Sequence, residues 1–288
     1  MSGGFGWKSA RMIWHSGALD IVPFLILLSE QRGMSEHSQS AALSPRAMAS
    51  SRVQPLVAMR AMRELLNDPD DTAQVFKIIQ ALKGNSIQQA VKRMYRSVTG
   101  RQLMQARPDI IPVLNDRKAL AAMPEGSLGR AYLAFVEARD LSADGLVAAS
   151  EEAPERPLPV DEQWVGLRLR DIHDLQHVLT GYRTDELGEL CLLEFMCTQT
   201  YNRGIRFIIF MAKRKFCSEQ PALPVKACVK EARRIAQQAA WTCDIPWESR
   251  LAESLDDIRR EMNLQPPALY LSVRDQFISE RDRKNQAA

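Results

Sequence analysis

The sequence lacks the cysteine patterns of a disulfide-stabilised domain and of a thiolate zinc site. It contains five cysteines, an odd number, and no C-x-x-C pair. Disulfide frameworks use cysteines in pairs, and thiolate zinc sites use closely spaced ones. We therefore expect reduced thiols at Cys191, Cys197, Cys217, Cys228 and Cys243.

Excess charge and long apolar runs are also missing. The formal net charge is +3, from 38 basic and 35 acidic residues, which gives no indication of a nucleic-acid partner. The apolar run near the N-terminus, residues 18–28, contains Asp20 and Pro23. A membrane-spanning helix needs roughly 20 apolar residues, so this run is too short to cross a bilayer.

No stretch shows the alternation of apolar and polar residues that is typical of a half-buried strand. Apolar residues instead recur at spacings of three and four, which predicts an all-α, single-domain, multi-helix assembly over residues 53–272. Residues 1–52 are expected to form a poorly ordered extension, in which Met34 resembles a natural start, and residues 273–288 a polar C-terminal tail. Helices are predicted over residues 70–84, 86–97, 126–140, 161–181, 185–215, 224–241 and 246–264.

Histidine is scarce, yet two of the four histidines fall in one stretch, "RDIHDLQHVLTGYRTDELGE", residues 170–189. Residues four apart share a helix face, so His173 and His177 point the same way, with Asp174 beside them. Apolar residues cover the other directions, and this helix should therefore be buried. Buried ionisable groups must be paired or bind a metal, because stranding one costs several kcal/mol.

The turn after Gly181 reverses the chain before a second helix begins. In an antiparallel helix pair this brings Glu189 back beside the histidine face, and Gly188 allows the two backbones to approach closely. Two imidazoles and two carboxylates suit zinc, iron(II) or manganese. From spacing alone, a structural histidine pair on a polar helix face explains the pattern equally well.

Several motifs together carry a resemblance to one protein family. His173, Asp174, His177 and Glu189 match its HDxxH-x11-E signature, and "HVLTGYRTDELGE" is similar to its H-x-L-x-G-x-x-T-x-x-x-GE segment. Upstream, "PEGSLGRAYLAFVEARDLS" resembles its PEGS-x-GR-x-Y segment, and downstream "LAESLDDIRREMNL" resembles its closing helix. Over about residues 55–272, the chain resembles the ubiquinone (coenzyme Q) biosynthesis proteins of the Coq4 type.

The resemblance implies a helical protein that acts in ubiquinone synthesis on a polyprenylated 4-hydroxybenzoate intermediate. The implied activity is metal-dependent, in one form oxidative, decarboxylation at ring carbon C1, so the favoured interpretation is an enzyme of the lyase class. His173, Asp174, His177 and Glu189 would be its metal ligands and catalytic residues. Zinc is the expected ion, with iron(II) or manganese as alternatives.

Other assignments remain open at this point. Arg170, Asp171 and Tyr182 are neighbours of the motif that could orient ligands or contact the substrate carboxylate. A non-catalytic, lipid-binding organiser of the ubiquinone biosynthetic complex, with a purely structural metal, is the main alternative function. A metallohydrolase is a further alternative, because HDxxH resembles the zincin helix HExxH with a shorter acid.

A prenylated substrate implies a membrane surface as a partner, together with other ubiquinone biosynthesis proteins; a homodimer is also compatible. The candidate surface is "GIRFIIFMAKRKF", residues 204–216, because apolar side chains there stand beside Lys213, Arg214 and Lys215. Residues 204–234 carry eight basic and two acidic side chains, which suits an anionic bilayer. Alternatively, the apolar residues belong to the core. The expected location is peripheral on the inner membrane, on the cytoplasmic side in a bacterium or the matrix side in a mitochondrion.

Overall fold

The computed structural model describes residues 54–67, 84–138 and 158–276, with isolated helical residues between positions 74 and 82. Within these ranges the chain is all-α, as predicted, and strand-like pairing is limited to one isolated bridge between Ser127 and Ser254. The predicted extension, residues 1–52, and residues 277–288 of the predicted tail lie outside the described residues. Residues 268–276 are helical, so this helix continues past the predicted domain end at residue 272.

The helices are numbered here in chain order. They are α1 Pro55–Asn67, α2 Ser86–Met94, α3 Val98–Ala106, α4 Ile111–Asn115, α5 Arg117–Ala122, α6 Leu128–Glu137, α7 Val160–Asp171, α8 His173–Thr180, α9 Glu186–Thr200, α10 Arg203–Glu219, α11 Val225–Gln238, a 3-10 turn Thr242–Asp244, α12 Trp247–Arg250 and α13 Leu255–Glu261.

Helix α9 occupies the centre of the assembly. Every residue from 187 to 199 is buried, and α2, α8, α10 and α11 all pack against it. A helix enclosed in this way should be apolar all round, yet α9 carries Glu189 and Glu194 at 2% and 0% exposure. Each of these carboxylates must therefore have a specific reason to be inside.

For Glu194 the reason is an ion-pair network between three helices. Its Oε1 atom accepts hydrogen bonds from Arg206 at 2.8 Å, Arg233 at 2.7 Å and the Thr198 hydroxyl at 3.2 Å. The two arginines come from α10 and α11, so this carboxylate ties both neighbours to α9. Among the described residues, Glu189 pairs with no arginine.

The predicted helix over residues 161–181 is wrong in one respect, because it is two helices, α7 and α8, that meet at Ile172. Ile172 has φ −87° and ψ 3°, outside regular α geometry, while hydrogen bonds on either side of it continue. The interruption lies just before His173. His173 and His177 therefore stay within one unbroken helix, and their four-residue spacing keeps its meaning.

The predicted helix over residues 185–215 is also wrong, because α9 and α10 are separate. Tyr201 adopts a left-handed conformation, φ 57°, and its N–H closes α9 on the Cys197 carbonyl. The side chain of Asn202 then caps α10 by accepting from the N–H groups of Gly204 and Ile205. An asparagine N-cap satisfies amide donors that a continuous helix would otherwise have bonded itself.

The predicted helix over residues 246–264 is likewise divided, into α12 and α13. Between them, residues 251–254 bond to the start of α6, with the N–H groups of Leu128 and Gly129 donating to the carbonyls of Glu253 and Leu251. The helices predicted over residues 86–97, 126–140 and 224–241 are present as the shorter α2, α6 and α11, with residues 139–140 outside the described residues. The helix predicted over residues 70–84 also lies mostly outside the described residues.

The proposed membrane surface over residues 204–216 is largely core. Ile205, Ile208 and Ile209 are buried, so their assignment to a membrane-facing surface is wrong. Phe210 is 53% exposed and Tyr201, at the preceding turn, is 71% exposed. Within the described ranges, no helix has the length and apolar character that crossing a bilayer requires.

Candidate metal centre

The two motif histidines lie on α8, which begins at His173 and ends at Gly181. Gly181 adopts φ +84° and its N–H bonds to the His177 carbonyl, as expected for a glycine that terminates a helix. The two imidazole rings meet edge to face, with centroids 4.8 Å apart. The four-residue spacing has therefore produced the shared face that the sequence predicted.

The ring of His177 is held in one orientation by its surroundings. Its Nδ1 atom lies 3.0 Å from the carbonyl oxygen of Tyr182, which can only accept, so Nδ1 carries the proton in the neutral ring. Phe135 of α6 stacks on the other side at a centroid distance of 5.3 Å. The lone pair of Nε2 is thereby directed into the site, as is usual for a histidine that binds a metal.

Glu189 comes from the first turn of α9, whose N-terminus is fixed by Asp185. The Asp185 side chain accepts from the N–H of Gly188 at 2.9 Å, which satisfies one of the free amides of the helix start. Glu189 Oε1 lies 3.0 Å from Nε2 of His177, and Oε2 lies 3.9 Å from Nε2 of His173. The carboxylate therefore faces both imidazoles at once.

Three polar atoms at this point have no hydrogen-bond partner among the described residues. They are Nε2 of His173, Nε2 of His177 and Oε2 of Glu189, all buried. The 3.0 Å separation between Oε1 of Glu189 and Nε2 of His177 is short, but both atoms are acceptors when the proton of the neutral ring is on Nδ1. Buried polar atoms are nearly always paired with a hydrogen-bond partner. A converging set of unpaired atoms that can offer lone pairs to a metal therefore fits a bound cation.

Asp174 completes the group on its more open side. Its Oδ1 atom lies 3.1 Å from Nδ1 of His173, and His173, Asp174 and His177 offer ligand atoms that all lie within 4.8 Å of one another. These three residues could hold a metal ion. The exposed fractions of the side chains are 0% for His177, 3% for Glu189, 9% for His173 and 28% for Asp174.

Electrostatics in the metal-free site agree with this arrangement. Burial by itself lowers the pKa of His177, but the charge and close contact of Glu189 outweigh it, with Asp174 and the Tyr182 carbonyl adding to the effect, so the net pKa is raised. The site thus favours positive charge at its centre. A divalent cation bound by imidazole and carboxylate would supply that charge in place of a proton.

The four residues predicted for the site therefore lie together, whereas their antiparallel helix arrangement and their individual roles stay predictions. Two of the suggested neighbours form an ion pair with each other. Arg170 pairs with Asp171 at 2.7 Å, and both side chains are buried. Tyr182 contributes its backbone carbonyl, while burial, followed by the nearby Cys191, raises the pKa of its phenol.

Two aromatic residues of α6 belong to the site and were not assigned from the sequence. Phe135 stacks on His177. Tyr132 is buried, and burial raises the pKa of its phenol, with the charge of the nearby Asp174 adding to the effect. Both lie in the segment "GSLGRAYLAFVEARD", which carries part of the family resemblance. Nothing in the spacing within α6 could have placed it against α8.

Comparison with known proteins gives a consistent assignment. A family model described as "Coenzyme Q (ubiquinone) biosynthesis protein Coq4" matches residues 48–268. The chain is 30% identical over 183 residues to the human "Ubiquinone biosynthesis protein COQ4 homolog, mitochondrial", covering 62% of this chain and 66% of that protein. It is 26% identical over 191 residues to the Neurospora crassa "Ubiquinone biosynthesis protein coq-4, mitochondrial", covering 65% and 52%. The chain thus spans between about half and two thirds of the length of these relatives.

A solved structure agrees at the level of the fold. The crystal structure of a Nostoc punctiforme protein assigned to ubiquinone biosynthesis superposes with a TM-score of 0.57 at 20% identity. The match covers 74% of this chain and all of that one. Because the family model spans most of the chain and includes all four site residues, the chain belongs to the Coq4 family of ubiquinone biosynthesis proteins.

Proposed function

We propose that this chain is a metal-dependent enzyme of ubiquinone biosynthesis that removes the C1 carboxyl group from a polyprenylated 4-hydroxybenzoate. Family membership supports the pathway, and one observation carries the chemistry. Three buried donor atoms, on His173, His177 and Glu189, converge without hydrogen-bond partners among the described residues. Such burial costs free energy unless a cation compensates it.

The residues that would hold this cation are His173, Asp174, His177 and Glu189. Zinc is the expected ion, and iron(II) or manganese would also suit nitrogen and oxygen donors of this kind. When bound, a divalent cation supplies positive charge that stabilises the negative charge developing on the substrate as its carboxyl group is lost.

The surrounding side chains define how a substrate would meet the site. Asp174 is the most exposed of the four residues, so we infer that the aromatic ring of the substrate enters from its side. Tyr132 and Phe135 are buried beside the site, and we infer that their rings would help to exclude water from the bound substrate. Asp174 or Glu189, acting as an acid–base group instead of a metal ligand, would then deliver the proton to ring carbon C1 in the non-oxidative form of the reaction.

Two forms of the reaction balance. In the simple form the bond between C1 and the carboxyl carbon breaks, carbon dioxide leaves, the electron pair stays on the ring, and a proton takes its place. In the oxidative form the carboxylic acid, water and dioxygen give the phenol, carbon dioxide and hydrogen peroxide. The phenol of the substrate assists both forms, because its ionisation makes the ring electron-rich.

A long prenyl tail requires contact with a membrane surface. We infer that Tyr201, exposed just before α10, and Phe210, exposed within it, provide the apolar part of this contact. The basic side chains of α10 would provide the ionic part. The two relatives named above are called mitochondrial, which favours a mitochondrial location in a eukaryote. We propose the matrix side of the inner membrane as the place where the chain would meet its substrate. Other ubiquinone biosynthesis proteins would be neighbours there.

The metal site can be tested by measuring the metal content of the purified chain. His177→Ala should lower the metal stoichiometry sharply, because it removes a donor at the centre of the set. Gln176→Ala is a matched control, since Gln176 is equally buried on α8 but bonds to the Thr242 hydroxyl, away from the site. Unchanged stoichiometry in the His177 variant would contradict the metal site.

The reaction can be tested in cells that lack the family's activity and accumulate prenylated intermediates. The chain should restore ubiquinone, and Glu189→Ala should leave intermediates that retain the C1 carboxyl group. The near-complete burial of His173, His177 and Glu189 also suits a purely structural metal, which favours the lipid-binding organiser as the second candidate. Full restoration of ubiquinone by the Glu189 variant would select that organiser.

A further inference from the structure

Tyr270, near the end of the described chain, is buried against the turn that connects the two halves of the site. It is 0% exposed, and it lies in helical residues 268–276. Its hydroxyl donates to Oδ2 of Asp185 at 2.5 Å and accepts from the N–H of Arg183 at 3.1 Å. One phenol thus bonds to the middle of the turn between α8 and α9 and to Asp185, the residue that caps α9.

Asp185 passes this contact on to Glu189. Its other oxygen, Oδ1, accepts from the N–H of Gly188, and its carbonyl accepts from the N–H of Glu189 at 2.8 Å. Asp185 therefore fixes the first turn of α9, and the position of the Glu189 backbone follows from the position of Asp185. A residue that holds Asp185 in place also holds Glu189 in place.

The ring of Tyr270 reaches the other arm of the site as well. It packs edge to face on Tyr182, with centroids 5.2 Å apart, and the Tyr182 carbonyl is the acceptor for Nδ1 of His177. Gly188 lies directly against Tyr270, since a Cβ atom there would come within 2.7 Å of the phenol oxygen. Helices α8 and α9 are therefore both held by the same side chain.

Tyr270 is itself anchored from a third helix. The carboxylate of Glu231 on α11 accepts from the N–H groups of Leu269 and Tyr270, at 3.1 and 3.3 Å. A carboxylate at a helix N-terminus satisfies free amides and complements the helix dipole. The helical segment 268–276 is thus fixed to the core by a contact separate from the one that the Tyr270 hydroxyl makes with the turn.

We propose that Tyr270 is a positioning residue for the metal centre: through Asp185 and Tyr182 it sets the separation of Glu189 from His177 at the value that holds the cation. This inference rests on the metal-dependent function proposed above. A tyrosine that only filled the core would need its ring in this place, but it would not need its hydroxyl within bonding distance of both Arg183 and Asp185.

The test removes the hydroxyl and keeps the ring. The full-length chain with Tyr270→Phe should bind Co²⁺, used alone as a spectroscopic probe, about 10-fold to 100-fold more weakly than the parent protein, which is the usual range for groups that orient metal ligands. Its Co²⁺ absorption bands should also shift, because the ligand geometry changes. Tyr95→Phe is the matched control, since Tyr95 donates to Asp161 at 2.8 Å through the same chemical group. It should leave both properties unchanged.

A second variant separates this contact from simple helix capping. Asp185→Ser keeps an N-cap acceptor for Gly188 but cannot reach Tyr270 in the same way. It should weaken Co²⁺ binding as Tyr270→Phe does, and the double variant should be no weaker than either single one. Co²⁺ affinities within twofold of the parent in both single variants would overturn the proposal, as would fully additive effects.

Hydrogen exchange in the metal-free protein distinguishes failure of this inference from failure of the metal function. Tyr270→Phe should speed exchange of the amides in residues 183–189 about tenfold, the effect expected from losing one hydrogen bond of roughly 1.4 kcal/mol. If the parent protein binds no Co²⁺, the proposed metal-dependent function fails. The exchange rates of residues 183–189 still show whether the Tyr270 hydroxyl holds the turn. Unchanged exchange, or faster exchange with unchanged Co²⁺ affinity, would overturn the positioning role.

Discussion

Replacing Glu189 by glutamine should stabilise the metal-free protein at high pH and at the same time weaken its metal binding. In the neutral site, Nε2 of His177 and Oε1 of Glu189 are both acceptors, yet they lie 3.0 Å apart in the core. A glutamine of the same shape can turn an N–H group towards His177 and form the missing hydrogen bond. Relieving an unpaired buried acceptor is worth about 1–3 kcal/mol.

The sign of this effect depends on pH because of His177. Glu189 holds the folded-state pKa of His177 above its ordinary value of 6.5, against the opposing effect of burial. The pair therefore contributes stability that is fully present below pH 6.5 and is lost as the pH rises through the raised pKa. Glu189→Gln should destabilise the metal-free protein in acid, where it removes a partner of the imidazolium, and stabilise it in base.

Thermal unfolding in the presence of a chelator would measure this reversal. For a domain of this size, each kcal/mol shifts Tm by roughly 2–4 °C, so the variant should melt several degrees above the parent at high pH. Without the chelator the order should invert, since a cation at 100 times its Kd stabilises the parent by about 2.7 kcal/mol and the variant far less.

A second buried carboxylate on the same helix provides the control. Glu194 accepts from Arg206 and Arg233, so Glu194→Gln should destabilise the protein at every pH, with or without metal. If Glu189→Gln destabilised the chelated protein at high pH as it does at low pH, Glu189 would be an ordinary structural carboxylate. Its Oε1 atom would then not be an unpaired acceptor beside His177.

Three further predictions concern other parts of the molecule. Gly188→Ala should destabilise the protein by about 1–3 kcal/mol, because the new Cβ would lie 2.2 Å from the Arg183 carbonyl oxygen. Gly166→Ala places its Cβ in open space and should stabilise α7 by up to about 1 kcal/mol. Chemical denaturation of the two variants checks both values. Cys217 is the one partly exposed cysteine, and burial raises the pKa of the other four thiols. A thiol reagent near neutral pH should therefore modify Cys217 alone in the folded protein. Modification at a second cysteine without unfolding would contradict this prediction. Reversing the basic residues 213–215 to glutamate should release the protein from anionic vesicles in a flotation assay, and equal flotation of variant and parent would show that α10 does not face the membrane.

The features that could be read from the sequence are those that depend on a few neighbouring residues. The shared face of His173 and His177 follows from helical periodicity, and the end of α8 at Gly181 follows from the freedom of glycine to adopt a positive φ. The all-α class follows from the absence of period-two alternation, and the free thiols agree with the missing cysteine motifs. In each case the physical cause acts within a turn or two of helix.

Features that depend on contacts between distant segments could not be read in this way. The helix breaks at Ile172 and Tyr201 occur inside stretches whose spacing favours continuous helix, and the burial of Ile208 is decided by which helices pack on α10. Periodicity gives a helix an apolar face but does not say whether that face meets the core or a membrane. Only the packing of the neighbouring helices settles it.

The chemistry of the site shows the same division. The spacing placed Glu189 near the histidines, but the tautomer of His177 depends on the Tyr182 carbonyl, and the stacking of Phe135 depends on the packing of α6 against α8. Tyr270 lies 85 residues beyond Asp185 in the chain, and no local pattern connects the two. Helical periodicity and a short turn place the four proposed ligand residues on two neighbouring helices, whereas their orientation is set by side chains that only the folded core brings together.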